Sequence, residues 1–379
     1  MLIQFSAGLQ RNMNKEKDRI AILDGFRAIA ILIVILFHFY SQWFNYYPYK
    51  NNFNYFSFGR YGVQFFFIIS GFVIYYTLSN TQTFITFWKK RFIRLFPSML
   101  IASVIILTIL NIFDNNLLFP EGHELKNFFT SLTFINPLTF NVLLKLLGFE
   151  HFTQYLNGSY WSLWPEVQFY VFSSLIYYFN KPKFLFNFSV LSTLAVIIYI
   201  SLSQINPELI LHAGFRKAFE VARVIIIYHF NLASNLPYFA IGTYFCFLFK
   251  DKKLNKAISA PIISVLITMV TFELYLIENT AGRIAMALML LLFALFIYYP
   301  KMIALLENQK IVKIGICSYF LYLIHEPIGV LMINRLGGFI HPFEVLFPIL
   351  TAGFLIFISI LYFSYIEKNI AKILNKLII

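Results

Sequence analysis

Residues Leu23 to Tyr40 read LDGFRAIAILIVILFHFY. From Ala28 to Phe37 the run is entirely apolar, which suits lipid, yet Asp24 and Arg27 stand at its start and His38 lies deep inside it. An ionisable group within a membrane span is costly unless it faces the interior of a bundle or a wet cavity. At 100° per residue, the eleven-residue separation of Arg27 and His38 falls within about 20° of three full turns, so the two share one helix face. Asp24 sits a turn before Arg27 at the helix entrance. A rise of about 1.5 Å per residue puts His38 roughly 16 Å beyond Arg27, past the bilayer midplane. Capping by Asp24, snorkelling by Arg27 and a helix–helix hydrogen bond from His38 would account for these groups structurally; a functional site would account for all three at once.

The rest of the chain agrees with a membrane setting. Of 379 residues, 59% are hydrophobic and 12% charged, and the mean hydropathy is +0.72. Apolar runs of bilayer length recur throughout, near 26–44, 60–79, 94–113, 160–180, 184–203, 223–249, 258–278, 281–299, 314–334 and 343–365. The pattern predicts an all-α, polytopic integral membrane helical bundle of about ten transmembrane helices, both termini cytoplasmic. The net charge of +13 follows the same topology. With the N-terminus inside, twenty of the 30 basic residues fall on inner segments, in clusters such as Arg11/Lys15/Lys17/Arg19, Lys89/Lys90/Arg91/Arg94 and Lys250/Lys252/Lys253/Lys256. The basic excess is a positive-inside signal, and no nucleic-acid partner is expected.

The apolar stretch after the polar N-terminus is too long for a signal-peptide core and is expected to stay attached. Cys246 and Cys317 stand alone in separate spans, so neither a disulfide framework nor a metal site is implied. The longest non-spanning part, 114–159, holds Asp114, Glu121, His123 and Glu124 and is expected to form short interfacial or re-entrant pieces over the outer face; 204–222 holds Glu208, His212 and Glu220. Residues 1–22 read as a cytoplasmic N-terminal segment, 23–366 as one transmembrane domain and 367–379 as a cytoplasmic tail.

Other polar groups recur at membrane depth. In GRYGVQFFFIISGFVIYY (59–76), Gly71 suits close helix contact and Ser70 a bond to its own backbone. In FWKKRFIRLFPSM (87–99), Arg91 and Arg94 share a helical face, with Lys90 a turn before Arg94; they are either positive-inside charges at the cytoplasmic surface or a phosphate site. In NGSYWSLWPEVQFYVF (157–172), Glu166 is either a first-turn acid favoured by the helix dipole or the partner of a histidine in the outer half of the membrane. In ICSYFLYLIHEPIGVL (316–331), His325 lies as far from the inner start of its span as His38 does from its own. Two histidines and the Glu166 carboxylate are thus expected in one outer layer, offset from the inner arginines.

RIAILDGFRAIAILIVILFH, GRYGVQFFFIISGF, FWKKRFIRLFP, YWSLWPEVQFY and SYFLYLIHEP occur in the order and at about the spacing of the motifs of membrane acyltransferase family three, which this chain resembles over residues 19–365. The resemblance implies a polytopic enzyme that moves an acyl group, commonly acetyl, from cytoplasmic acyl-CoA to a hydroxyl of a cell-surface polysaccharide, lipopolysaccharide or lipid-linked glycan, in a bacterial inner membrane. It maps functional roles to Arg27, His38, Arg91, Arg94 and Glu166. Gln64 and Pro165 depart from the family pattern, which often has an acidic residue at the first and a small aliphatic one at the second. Some members carry an extracytoplasmic hydrolase-like domain; the chain is expected to act alone or to pass the acyl group to a separate extracytoplasmic transferase.

The chemistry sets the expected roles. The 3′-phosphate and diphosphate of CoA call for a basic mouth, supplied by Arg91, Arg94, Lys90 and Arg27. An alcohol needs a base, and His38 is the candidate, oriented by Glu166 or His325. Arg27 steadies the thioester or the phosphates, and no metal takes part. A transporter or flippase with an intramembrane His/Glu proton relay is the competing reading, and a noncatalytic scaffold the third.

Overall fold

The computed structural model describes residues 20–49, 54–115, 117–149, 152–209, 212–250, 263–271, 274, 277 and 279–378. The N-terminal cluster Arg11/Lys15/Lys17/Arg19 and the cations Lys252, Lys253 and Lys256 lie outside the described residues, as does much of the span expected at 258–278. No β-strand occurs among the described residues.

The helices are α1 (Ala21–Phe37), α2 (Gly62–Ser79), α3 (Phe84–Phe113), α4 (Leu125–Leu132), α5 (Pro137–Leu146), α6 (Leu163–Phe179), α7 (Phe184–Gln204), α8 (Ala213–Val224), α9 (Leu232–Lys250), α10 (Thr280–Tyr298), α11 (Gln309–Leu336), α12 (Phe347–Tyr362) and α13 (Lys368–Ile378). By length and composition, 8 helical stretches among the described residues can cross a membrane: those containing α1, α2, α3, α7, α9, α10, α11 and α12. The chain is a polytopic helical membrane protein. The span expected at 160–180 is the 17-residue α6, about 26 Å long and slightly short of a typical hydrocarbon core.

Local chemistry explains where the helices start. Thr83 caps α3 by accepting from Thr86 N at 3.2 Å, and Asn279 caps α10 by accepting from Gly282 N at 2.6 Å. The Thr83 cap starts α3 ten residues earlier than the hydropathy pattern predicts, so Lys89, Lys90, Arg91 and Arg94 ride on a 30-residue helix that continues through Pro97. The span expected at 223–249 is also redrawn. Its first residues belong to α8 and a π-helical turn, Ile225–His229, and α9 begins only at Leu232. Trp164 Nε1 and Gln168 Nε2 each donate to His229 O at 2.9 Å, which satisfies the backbone at this break.

Small residues set the interhelical distances. A Cβ on Gly242 would lie 1.8 Å from Ile68 O, and one on Gly71 would lie 2.0 Å from Phe239 O, so α2 and α9 touch backbone to backbone. Thr243 Oγ1 reaches Gly71 O across the same seam at 3.3 Å. Gly315 likewise brings α11 against the carbonyl of Asp24 on α1. Such contact supplies the dispersion that drives helix association in lipid, where apolar burial does not discriminate partners. Around these seams Phe26, Phe65, Phe245, Phe293 and Phe296 form a buried aromatic cluster, each pair adding about 0.5–1.5 kcal/mol.

Contacts at helix ends orient the bundle. Lys250, at the end of α9, reaches Ser79 at the end of α2, whereas Asn279, at the start of α10, reaches Tyr61 before α2. The starts of α1, α3 and α11 lie with the first group, and the 114–159 region, built from α4, α5 and connecting turns, lies at the other end.

Replacing Gly242 with leucine should force α2 and α9 apart at a cost of about 3 kcal/mol or more. Thermal unfolding of the detergent-solubilised protein should show a clear drop for Gly242→Leu and none for Gly338→Ala, whose Cβ meets nothing within 4 Å.

Candidate active site

Two polar assemblies lie along the α1 face that carries Arg27 and His38. The first is a narrow cavity of about 70 Å³ whose lining includes Arg27, Ser70, Arg91, Arg94, Ser162, Glu166, Tyr170 and Tyr322. Arg27 Nη1 donates to Asp24 Oδ1 at 2.7 Å, which restrains the guanidinium within the entrance turn. Arg91 is 9% exposed rather than turned out to a surface. Its guanidinium lies 5.6 Å and 5.8 Å from the ring centroids of Phe87 and Tyr170, and Nη2 donates to Thr77 Oγ1 at 3.3 Å. Arg91 Nε is buried with no hydrogen-bond partner. Arg94 lines the same cavity from one turn further along α3, whereas Lys90 is exposed and does not line it.

Glu166 belongs to this assembly. Its Oε1 accepts from Ser70 Oγ at 2.6 Å and from Tyr170 Oη at 2.5 Å. Ser70 therefore bonds across helices rather than to its own backbone, and Glu166 faces the arginine cavity rather than a histidine. The cause is the start of α6: a 3₁₀ turn, Gly158–Ser162, precedes it and presents Ser159 to Glu326, while Glu166 lies further along the helix among the arginines.

The second assembly surrounds His38. A π-helical turn, His38–Gln42, follows α1 directly, a feature frequent at functional sites. Tyr47 Oη donates to His38 O at 3.1 Å and Tyr49 Oη to Phe39 O, so the following loop clamps this turn. Burial, with Tyr49 and Glu326 beside it, holds the Tyr47 phenol well above its ordinary value and so keeps it a donor. The His38 ring points into the bundle, with its side chain 14% exposed, and Nδ1 lies 3.3 Å from His325 Nε2. His325 is fully buried. The carboxylate beside the histidines is Glu326, whose Oε1 is 3.6 Å from His38 Nε2 and accepts from Trp43 Nε1 at 3.1 Å. Its Oε2 accepts from Ser159 N at 3.0 Å and from Ser159 Oγ.

Pro327 makes this cluster possible. A proline inside α11 has no N–H, which leaves the carbonyl of Leu323, four residues earlier, without its helical donor. Asn157 Nδ2 fills the place at 3.0 Å while Asn157 Oδ1 accepts from Ser159 N, so one side chain locks the 158–162 turn onto α11. Sequence reasoning missed Glu326, Trp43, Tyr47 and Ser159. The pair His325-Glu326 before a proline was visible in the chain, but neighbours on a helix diverge by about 100°, so adjacency gave no sign that both meet His38.

Tyr322 joins the two assemblies. It lines the arginine cavity, its hydroxyl lies 2.9 Å from Ser162 Oγ and donates to Ser159 O at 2.8 Å, and its ring centroid is 5.4 Å from that of His325. Among the described residues no group of three or more His, Cys, Asp or Glu could hold a metal ion.

A family model described as an acyltransferase domain matches residues 20–366. The chain belongs to the acyltransferase 3 family. It is similar to O-acetyltransferase OatA of Staphylococcus aureus strains NCTC 8325 / PS 47, COL and MRSA252, with 26% identity over 374 residues in each case. The match covers 92% of this chain and 57% of each relative, so the chain spans little more than half their length. No solved structure matches it.

Asn157→Ala should cost about 1–3 kcal/mol by leaving Leu323 O unsatisfied. In a Pro327→Ala background, which restores an N–H to that carbonyl, the penalty should shrink; a double-mutant cycle of unfolding free energies checks the coupling.

Proposed function

We propose that this chain is a membrane O-acyltransferase that carries an acyl group, acetyl first among candidates, from acyl-CoA at the cytoplasmic face to a hydroxyl of a surface glycan or lipid-linked sugar on the outer side of a bacterial cytoplasmic membrane. One observation carries the reading: an arginine-lined cavity at the Arg27 end of the bundle has in its lining Tyr322, whose ring lies beside His325 in the layer that also holds His38 and Glu326. The similarity to OatA, an O-acetyltransferase by name, supports the reaction class. In this reading residues 23–366 form the acyltransferase domain, crossing the membrane about ten times, with 1–22 and 367–379 on the cytoplasmic side.

The cavity volume supports a donor that enters by its acyl end. A single water needs roughly 10–15 Å³ of such space, so about 70 Å³ admits a thioester terminus but not a nucleotide. The phosphates of CoA stay at the mouth, where two guanidiniums, Arg91 and Arg94, outweigh the one carboxylate of Glu166. Arg91 Nε, buried and unpartnered, is a donor available to an anionic or carbonyl oxygen. Arg27, tied to Asp24, flanks the path of the acyl end. Lys90, exposed on the same helix, adds attraction at long range.

At the outer layer His38 is the general base. The acceptor hydroxyl gives its proton to His38 Nε2 as its oxygen bonds to the acyl carbon, and the C–S bond breaks with its electron pair leaving on sulfur. The sulfur is then protonated to give CoA, and the imidazolium returns its proton to solvent. His325 fixes the His38 ring from the side of Nδ1. The sugar acceptor, the surrounding lipids and a separate extracytoplasmic transferase are the partners this chemistry admits.

Arg91→Ala should weaken acetyl-CoA binding by tenfold or more, about 1.4 kcal/mol or greater. His38→Ala should leave binding intact and reduce turnover on the order of 100-fold or more. Proteoliposomes with radiolabelled acetyl-CoA measure both. Movement of a substrate without release of CoA would instead establish a transporter, and equal CoA affinity in wild type and Arg91→Ala would remove the donor site.

A further inference from the structure

Counting protons in the histidine layer assigns a role to Glu326. His38 Nδ1 lies 2.9 Å from Val34 O, and His325 Nδ1 lies 2.7 Å from Tyr322 O. A carbonyl oxygen only accepts, so each Nδ1 carries hydrogen. In the neutral rings both Nε2 atoms are then bare. His325 Nε2 accepts a share of the His38 Nδ1 hydrogen at 3.3 Å. His38 Nε2 is left with its lone pair facing Glu326 Oε1 at 3.6 Å. A bare nitrogen opposite an ionised oxygen is repulsive; a proton on that nitrogen turns the same contact into an attractive ion pair.

We infer that Glu326 is the counter-ion for the His38 imidazolium formed when the acceptor hydroxyl is deprotonated, a positioning residue for the base. The inference rests on the reading of His38 as that base and adds to it the group that pairs with its charged form. Its carboxylate is held firmly in place. Glu326 is 6% exposed, and its two oxygens receive the Trp43 indole N–H, the Ser159 amide and the Ser159 hydroxyl. These neutral donors come from the loop after α1 and the turn before α6, so the acid is gripped from both sides while its third neighbour, His38, cycles between charge states. The titratable groups around it are His38, Tyr47 after α1, and His325 and Tyr322 on its own helix. The two tyrosines donate to backbone carbonyls, Tyr47 to His38 O and Tyr322 to Ser159 O. His38 is the group whose charge Glu326 answers.

Glu326→Gln removes the negative charge beside Nε2, so the imidazolium formed in the reaction loses its ion-pair partner. The amide also offers an N–H to the Nε2 lone pair, and kcat should fall on the order of 100-fold with the KM for acetyl-CoA unchanged. Glu326→Asp keeps the charge, so its kcat should exceed that of Glu326→Gln, again at the wild-type KM.

The assay is radiolabel transfer from acetyl-CoA in permeabilised membranes of the producing cell, which carry its own acceptor, in a background lacking the wild-type gene and normalised to the amount of enzyme. A wild-type kcat in Glu326→Gln with inactive His38→Ala overturns the role of Glu326 alone. Full activity in His38→Ala overturns the assignment of the base itself. Should Glu326→Gln fail to accumulate, Ser159→Ala supplies the second test. With one donor fewer, the carboxylate is held less firmly beside Nε2, so kcat should fall with the KM for acetyl-CoA unchanged; an unchanged kcat there counts against the inference.

Discussion

Two imidazoles and a carboxylate inside an apolar helical bundle impose the constraint from which the rest of this site follows. An unpaired charge at that depth costs several kcal/mol, so every polar atom of the cluster has to find a partner within the protein. The partners come from three separate places in the chain: the π-turn and loop after α1, the 158–162 turn before α6, and α11 itself. Satisfying the carboxylate therefore fixes how these elements meet, and the loop that caps the histidine layer is as much a product of electrostatics as of packing.

Pro327 and Asn157 illustrate how the backbone is enlisted. Proline costs α11 a hydrogen bond, and the freed Leu323 carbonyl becomes the socket for a side chain that also shapes the turn presenting Ser159. A residue that reads as a helix breaker thus joins two helices. The glycines at 71, 242 and 315 act in the same spirit on the other seams, where backbone contact replaces the hydrophobic driving force that lipid removes.

The arginine cavity and the histidine layer each hold one carboxylate. Glu166 is held by Ser70 and Tyr170 among the arginines, whereas Glu326 lies beside His38. Tyr322 is shared by both and forms the boundary between them. Two carboxylates of one chain thus sit in different polar surroundings, and the resemblance of the motifs to a known family does not by itself distinguish the two.

What the sequence alone determined is whatever depends on a fixed local period or on composition. The apolar runs gave the helical membrane fold, and the 3.6-residue period placed Arg27 and His38 on one face and Arg91 beside Arg94. The ordered motifs gave the family. What only the tertiary structure decided is which groups meet across helices: that Glu326 and not Glu166 lies beside His38, that Ser70 turns to Glu166, that Arg91 is buried under Phe87 and Tyr170 while Lys90 stays outside, and that α6 begins in a 3₁₀ turn. The reason is physical. Helical periodicity fixes the direction of a side chain relative to its own axis, but the rotation and depth of one helix against another are set by glycine contacts, a proline-freed carbonyl and the pairing of buried charge, and those involve residues far apart in the chain.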